Sequence, residues 1–192
     1  TVYASDVILV CLMYIPMVAL LARFPIAQFF KGIWKVWVVT LSTTSSAGSL
    51  PVTTSVTNDD FGVSPELSSF SLPLGATINM NGGCIYYAAA IVMTAQIYGM
   101  DLTPAALLNI VISTVLVAMG CPGVPGGAII MTTILLTNMG LPLEIVGMIA
   151  GIFRLIDMAN TTFNVTGDVV TTMVVARSEN MITPPAAVAA KK

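Results

Sequence analysis

The sequence predicts an all-α membrane protein built from transmembrane helices, two re-entrant helical hairpins and a broken helix. Hydrophobic residues make up 56% of the chain and charged residues only 8%, whereas about a quarter of a soluble domain is charged. Three of the apolar segments are interrupted at their centres by Gly, Pro, Ser or Asn. Non-helical backbone survives inside a bilayer only where protein or trapped water satisfies its polar groups. Broken helices that meet near the midplane are typical of secondary transporters.

The first helix is predicted within residues 1–23, around an apolar run from Val7 to Leu21. This run is shorter than the roughly 20 residues that span a bilayer, so we expect further residues before it and interpret the chain as a fragment. At the other end, residues 179–192 are polar and rich in Pro and Ala. Such a composition buries too little apolar surface to fold, so we expect a disordered tail.

Three interrupted segments follow the first helix. Residues 33–57 and 102–139 each have two apolar arms joined by a tip of small residues, and we predict both as re-entrant hairpins. Between them, residues 66–98 form a helix that is broken at "GATINMNGG". The basic regions on either side of these segments lie on the same side of the membrane whether the two hairpin segments cross it or re-enter, so the charges alone do not decide between the two arrangements. Re-entry places the loop near Asp101, which has no Lys or Arg, outside the cell, and the positive-inside rule favours that placement.

Basic residues set the predicted orientation. Arg154 lies within a predicted span, and the others flank the first helix or close the chain. The full set is Arg23, Lys31, Lys35, Arg154, Arg177, Lys191 and Lys192. The positive-inside rule makes both flanking regions cytoplasmic. We therefore expect a multi-pass protein of the plasma or inner membrane with a cytoplasmic C-terminus.

The last segment, residues 143–178, carries a stripe of oxygen-bearing side chains. Asp157, Thr161, Asn164 and Asp168 are spaced i, i+4, i+7 and i+11, which places them on one face of a helix. If the stripe contained only threonines, it would indicate hydrogen bonds to neighbouring helices. A carboxylate near the bilayer centre costs at least about 2.5–3.5 kcal/mol, so two aspartates favour a functional site.

Two other residues accompany this stripe. Asn160 lies beside it, one turn beyond Asp157. Arg154 precedes Asp157 by one turn, so it is either the ion-pair partner of Asp157 or a substrate-binding residue.

The composition also excludes several functions. The chain has no histidine, and its three cysteines have no paired spacing, so a soft-metal site is not expected. Asp168, Asn164 and the "TINMN" stretch instead offer the hard oxygen ligands that suit Na⁺. No catalytic triad or phosphate-binding loop is present, which favours transport over catalysis without an organic cofactor. A net charge of −2 without a basic cluster excludes nucleic acid as a partner.

Four stretches carry a resemblance to a known family. "TTSSAGSLPVT", "SLPLGATINMNGG", "GCPGVPGG" and "DMANTTFNVTGD" resemble the dicarboxylate/amino acid:cation symporter family, whose members are glutamate-transporter-like. The resemblance implies that residues 1–178 form part of a transport domain. In that family this domain moves like an elevator against a trimeric scaffold, with the second hairpin as the gate, so a homotrimer is implied for the complete protein.

The resemblance also implies cation and substrate residues. One Na⁺ site would use Gly75, Asn79, Asn164 and Asp168. A second would use Thr77, Met80, Ala118, Met119 and Cys121. The substrate site would comprise Ser45, Ser46, Val124, Asp157, Asn160, Thr161 and Asn164.

Within the implied substrate site, Asp157 would hold the α-ammonium group of an amino acid, and Ser46 and Asn164 its α-carboxylate. Asn81 stands where acidic-substrate members have an aspartate, which should weaken a further cation site.

Asn160 decides the predicted substrate. It stands where acidic-substrate members have the arginine that binds the side-chain carboxylate, and the first tip offers Thr44 rather than an arginine. Without such a bidentate pair, a dicarboxylate would bury an unpaired charge. Arg154 is about 120° around the helix from Asn160 and is a poor substitute. We therefore predict Na⁺-coupled symport of a small neutral amino acid. The alternatives are an acidic amino acid or dicarboxylate symporter, an ion channel, and a non-transporting membrane subunit.

Overall fold

The computed structural model describes residues 1–183, and these contain eight helices and no strand. Their bounds are α1 Val2–Leu21, α2 Ile26–Thr43, α3 Ser46–Asp59, α4 Pro65–Ile78, α5 Asn81–Ile97, α6 Pro104–Ala118, α7 Gly127–Asn138 and α8 Glu144–Ser178. The all-α prediction is confirmed.

The first helix is longer than its apolar run. Residues before Val7 are helical as well, so α1 reaches 20 residues and the length of a membrane span. It begins as a regular α-helix and continues with π-helical turns over Val10–Tyr14 and Met17–Leu21. Pro16, which has no N–H to donate, lies between these turns. By length and composition, α1 and α8 are the two helices in residues 1–183 that can cross a membrane.

Two helix pairs with compact tips correspond to the predicted hairpins. In the first, α2 begins at Ile26 rather than near residue 33, and Thr44 ends it in a left-handed conformation with φ of 49°. Ser45 then caps α3, because its Oγ accepts a hydrogen bond from the Gly48 N–H at 3.0 Å. In the second pair, α6 and α7 are joined by residues 119–126.

The broken helix has its break where the sequence predicted it. Helix α4 ends at Ile78, and Asn79 and Met80 leave helical geometry with ψ of 78° and 57°. Helix α5 restarts at Asn81. The break leaves backbone groups at two helix ends free to bind other partners.

Helix α8 runs through two separate hydrophobic cores. Near its start, Ile149 and Phe153 pack in a cluster with α5, α6 and α7. Near its end, Val165 and Val169 pack in another cluster with α1 to α4. The polar stripe begins where α8 leaves the first of these cores and enters the second.

The chain remains ordered beyond the end of α8. The Ser64 N–H donates to the Met181 carbonyl at 2.9 Å, and the Thr183 N–H donates to the Gly62 carbonyl at 2.8 Å. Ile182 is buried against this connection. Disorder was expected from residue 179, but these contacts order the chain to Thr183, and residues 184–192 lie outside the described part.

Candidate functional site

The polar stripe of α8 faces the protein interior. Asp157, Thr161, Asn164 and Asp168 are between 4% and 7% exposed. Asn160, beside the stripe, is 2% exposed. Helical periodicity therefore brings these five polar side chains into the interior, as the spacing predicted.

The tips of both helix pairs meet above this stripe. The Ala47 N–H donates to the Gly123 carbonyl at 3.2 Å, and the Ser45 hydroxyl donates to the same oxygen at 2.9 Å. Gly123 also lies against the end of α4, where an added Cβ would come within 2.7 Å of the Ala76 carbonyl oxygen. Both tips and the break between α4 and α5 thus converge on one region.

A small cavity lies at this convergence. Its volume is about 20 Å³, which holds about one water molecule. It is lined by six residues of the predicted substrate set, namely Ser46, Val124, Asp157, Asn160, Thr161 and Asn164. Ser45 is not among the lining residues, because its hydroxyl connects the two tips. The tips are therefore closed, and a larger ligand requires one of them to move.

The second tip contacts Asp157 directly. Gly126 precedes α7 with φ of 79°, a conformation that favours glycine. Its N–H donates to Asp157 Oδ2 at 3.2 Å. The carboxylate thus lies at the positive end of a helix, and a ligand ammonium group would compete with this N–H for the same oxygen.

Arg154 does not pair with Asp157. Its guanidinium donates to the Thr44 hydroxyl at 2.5 Å and to the Ser42 carbonyl at 3.2 Å. Both acceptors lie at the C-terminal end of α2, where a cation is favourable. Arg154 therefore connects α8 to the first tip.

The other end of the stripe forms a compact group around Asp168. Asn79 Nδ2 donates to Asp168 Oδ1 at 2.7 Å and to the Asn164 carbonyl at 3.4 Å. Gly75 is required at this contact, because a Cβ there would lie 2.5 Å from Asp168 Oδ1. In residues 1–183, no Lys or Arg lies within 4 Å of the Asp168 carboxylate. The Asp168 carboxylate and the Asn164 carbonyl, which share the Asn79 Nδ2 donor, offer oxygen ligands of the kind that suit a hard cation.

Comparison with known proteins fits this geometry. Residues 1–178 match the model of the sodium:dicarboxylate symporter family. The chain belongs to this family. It is 36% identical over 141 residues to excitatory amino acid transporter 2 of Mus musculus, an alignment that covers 73% of this chain and 25% of that relative.

Two relatives come from Caenorhabditis elegans. An excitatory amino acid transporter is 34% identical, over 73% of this chain and 28% of the relative. The putative sodium-dependent excitatory amino acid transporter glt-4 is 34% identical, over 83% of this chain and 32% of the relative. The chain spans a quarter to a third of the length of these relatives. Members of the family are integral membrane transporters and not enzymes, in agreement with the sequence prediction.

Asn164 joins the two ends of the stripe. Its Oδ1 accepts a hydrogen bond from the Gly82 N–H at 2.7 Å, which fixes the start of α5. Its Nδ2 points at Met80 Sδ at 3.2 Å. A thioether is a weak acceptor, so this N–H remains available to an anionic ligand.

The second predicted cation set is assembled only in part. Met80 and Cys121 both line the cavity. Thr77 is exposed, and its hydroxyl donates to the Leu74 carbonyl within its own helix at 2.7 Å. Met119 is 51% exposed, and the Ala118 carbonyl accepts from the Cys121 N–H at 3.2 Å. The structure does not bring the Thr77 hydroxyl to the cavity.

Two tyrosines of the site were missed in the sequence. Tyr14 Oη donates to the Phe163 carbonyl at 3.1 Å and accepts from Asn81 Nδ2 at 2.9 Å, so the Asn81 amide already has a partner. Tyr87 is fully buried and lines the cavity. Gly83, one turn before Tyr87, lines the cavity as well, so both residues lie on the face of α5 that is turned towards it.

Proposed function

We propose that the chain is the C-terminal part of the transport domain of a Na⁺-coupled symporter for small neutral amino acids. Asn160 is the observation that carries the substrate assignment. Neither side-chain atom of Asn160 has a hydrogen-bond partner within residues 1–183, and none of the residues lining the cavity is Lys or Arg. A side-chain carboxylate would therefore be buried without a positive partner.

A zwitterion fits the remaining polar groups. Its ammonium group would replace the Gly126 N–H at the Asp157 carboxylate. Its carboxylate would bind Asn164 Nδ2 and the N-terminal end of α3 at Ser46, where backbone N–H groups favour an anion. Because the present cavity holds about one water molecule, the second tip would open before the amino acid enters.

The Na⁺ ion would bind at the Asp168 end, with Gly75, Asn79 and Asn164 as the other ligands. The carboxylate supplies negative charge, and the helix break supplies carbonyl oxygens. Met80, Cys121, Thr77, Ala118 and Met119 form the second proposed cation set, which would assemble when the second tip moves. Cation binding near both tips would couple the binding of Na⁺ to the closure of the tips over the substrate.

The two helix pairs are proposed to be re-entrant hairpins. Helices α3, α6 and α7 have 14, 15 and 12 residues, and each is shorter than the roughly 20 residues that cross a bilayer. Their tips lie inside the protein, where broken backbone is tolerated. The elevator movement, the trimer and the cytoplasmic C-terminus are proposals that rest on the family.

Symport of an acidic amino acid or a dicarboxylate is the second candidate. The family's name specifies dicarboxylates, and the relatives above are named excitatory amino acid transporters. This chain would then need a positive group from outside residues 1–183 to bind the second carboxylate.

Uptake by the complete protein in proteoliposomes would separate these candidates. We expect an inward Na⁺ gradient to drive uptake of radiolabelled alanine or serine, and choline replacement to abolish it. Aspartate in excess should compete poorly. Strong competition by aspartate would favour the acidic substrate. Solute flux that does not depend on Na⁺ would contradict symport and favour a channel.

A further inference from the structure

A cavity lies between the C-terminal ends of the two helices that are long enough to cross a membrane. Helix α1 ends at Leu21 and α8 ends at Ser178. The cavity between these ends has a volume of about 500 Å³, within the roughly 300–1,000 Å³ of small-molecule sites. Helices that cross a membrane end near its surface, so the cavity lies at the level of the lipid head groups. Its lining includes Leu20, Leu21, Arg23, Val174, Arg177 and Asn180.

Both guanidinium groups on this cavity have unused hydrogen-bond donors. Arg177 Nε donates to the Ala22 carbonyl at 2.9 Å, and a guanidinium group has four further N–H donors. The side chain of Arg23 forms no hydrogen bond with any other residue in the described range 1–183. No carboxylate in that range lies within 4 Å of either guanidinium group. The cavity therefore carries two positive charges that the described part of the chain does not neutralise.

The backbone brings the two arginines together. Arg23 follows α1 in a left-handed conformation with φ of 51°. Its neighbours Ala22 and Phe24 are buried, whereas Arg23 itself is exposed. Arg177 of α8 binds the carbonyl of Ala22, the residue next to Arg23. This contact holds both arginines at one cavity.

The rest of the lining indicates what kind of anion fits. Arg binds phosphate through paired N–H donors, and its planar group suits that geometry. Leu20 and Leu21, at the end of α1, are 72% and 53% exposed, and Val174 of α8 continues the apolar wall. A free phosphate ion would use only the arginines. A molecule with a phosphate group and a hydrocarbon chain would contact both parts of the lining.

We propose that this cavity binds an anionic phospholipid, with its phosphate at Arg23 and Arg177 and an acyl chain along Leu20 and Leu21. This site lies outside the substrate cavity and goes beyond the proposed function. Basic pockets between membrane helices on the cytoplasmic side bind anionic head groups in other proteins. The cytoplasmic C-terminus proposed above places the end of α8 on that side. A lipid bound here would join the ends of α1 and α8.

Lipid binding to the complete protein in detergent tests this site. Native mass spectrometry would measure the binding of phosphatidylglycerol and of phosphatidylcholine with the same acyl chains. We expect phosphatidylglycerol to bind more tightly, because the choline ammonium group offsets the phosphate charge. Arg23→Gln should lower the affinity for phosphatidylglycerol about 5-fold, which corresponds to roughly 1 kcal/mol for one basic residue near anionic lipid. Affinity for phosphatidylcholine should change much less, which also reports that the variant folds.

Lys31→Gln is the matched control. Lys31 is an exposed basic residue near the start of α2 and does not line the cavity, so we expect its removal to leave the affinity for phosphatidylglycerol unchanged. An excess of inorganic phosphate should not displace the lipid. Unchanged affinity in Arg23→Gln, an equal loss in both variants, or no preference for phosphatidylglycerol in the unmodified protein would overturn the proposal. Displacement by inorganic phosphate would assign the cavity to a free anion and also overturn it.

Discussion

The two ends of the polar stripe on α8 are both buried, yet they are built differently. At the Asp168 end, the carboxylate and the Asn79 amide bind each other within a close contact that Gly75 permits. At the Asp157 end, the Asn160 amide is unpaired and the carboxylate is bound by a backbone N–H of the second tip. The first end is preassembled by the helix break. The second end is closed by the two tips, which would have to separate to admit an amino acid. This difference suits the proposed function, in which the cation site would be formed before the substrate site is filled.

Asp168→Asn should produce the largest effect. Removing the negative charge from the proposed cation site should weaken Na⁺ binding by about 100-fold or more, since one buried charged contact is worth several kcal/mol. Na⁺ titration of the complete protein would measure this. Asp59→Asn is the control, because Asp59 is exposed and accepts from Ser55. Unchanged Na⁺ affinity in Asp168→Asn would remove Asp168 from the cation site.

Gly75→Ala should have an intermediate effect. The Cβ of the alanine would come within 2.5 Å of Asp168 Oδ1, so the carboxylate would have to move from its present position. We expect Na⁺ affinity to fall about 10-fold, the equivalent of roughly 1.4 kcal/mol. The matched variant is Gly147→Ala on α8, where an added Cβ meets nothing within 4 Å. Equal effects in the two variants would contradict a preassembled site at Gly75.

Arg154→Gln should have the smallest effect. Arg154 braces the first tip through Thr44 and Ser42 and does not pair with Asp157. We expect substrate affinity to fall about 3-fold, because looser tips close less completely, while Na⁺ affinity stays the same. A 3-fold fall in affinity corresponds to less than 1 kcal/mol of binding free energy, as expected for a partly exposed contact. Loss of substrate binding by 100-fold or more would indicate a direct role for Arg154 at the substrate.

The sequence predicted much of this site because helical spacing is regular. Asp157, Thr161, Asn164 and Asp168 could be placed on one face from their spacing alone. The break at Asn79 followed from a polar, glycine-rich interruption in an apolar run. These features depend on residues that are close together in the sequence, so they can be read from the sequence directly.

Other features depend on contacts between distant parts of the chain. Arg154 precedes Asp157 by one turn, but its partner is Thr44, 110 residues away. Tyr87 resembles an ordinary core aromatic in the sequence, and only the packing of the two tips shows that it lines the cavity. Ser45 was expected to bind substrate, yet its hydroxyl joins the two tips. Tertiary packing decides these roles, and spacing cannot reveal them.

The most direct test of the account is calorimetric titration of the complete protein with serine and with aspartate, each in Na⁺ and in choline. The unpaired Asn160 and the absence of Lys and Arg from the lining of the cavity predict Na⁺-dependent binding of serine and at least about 100-fold weaker binding of aspartate, the cost of an unpaired buried charge. Tighter binding of aspartate than of serine would contradict the neutral substrate. Equal binding of serine in Na⁺ and choline would contradict cation coupling at Asp168.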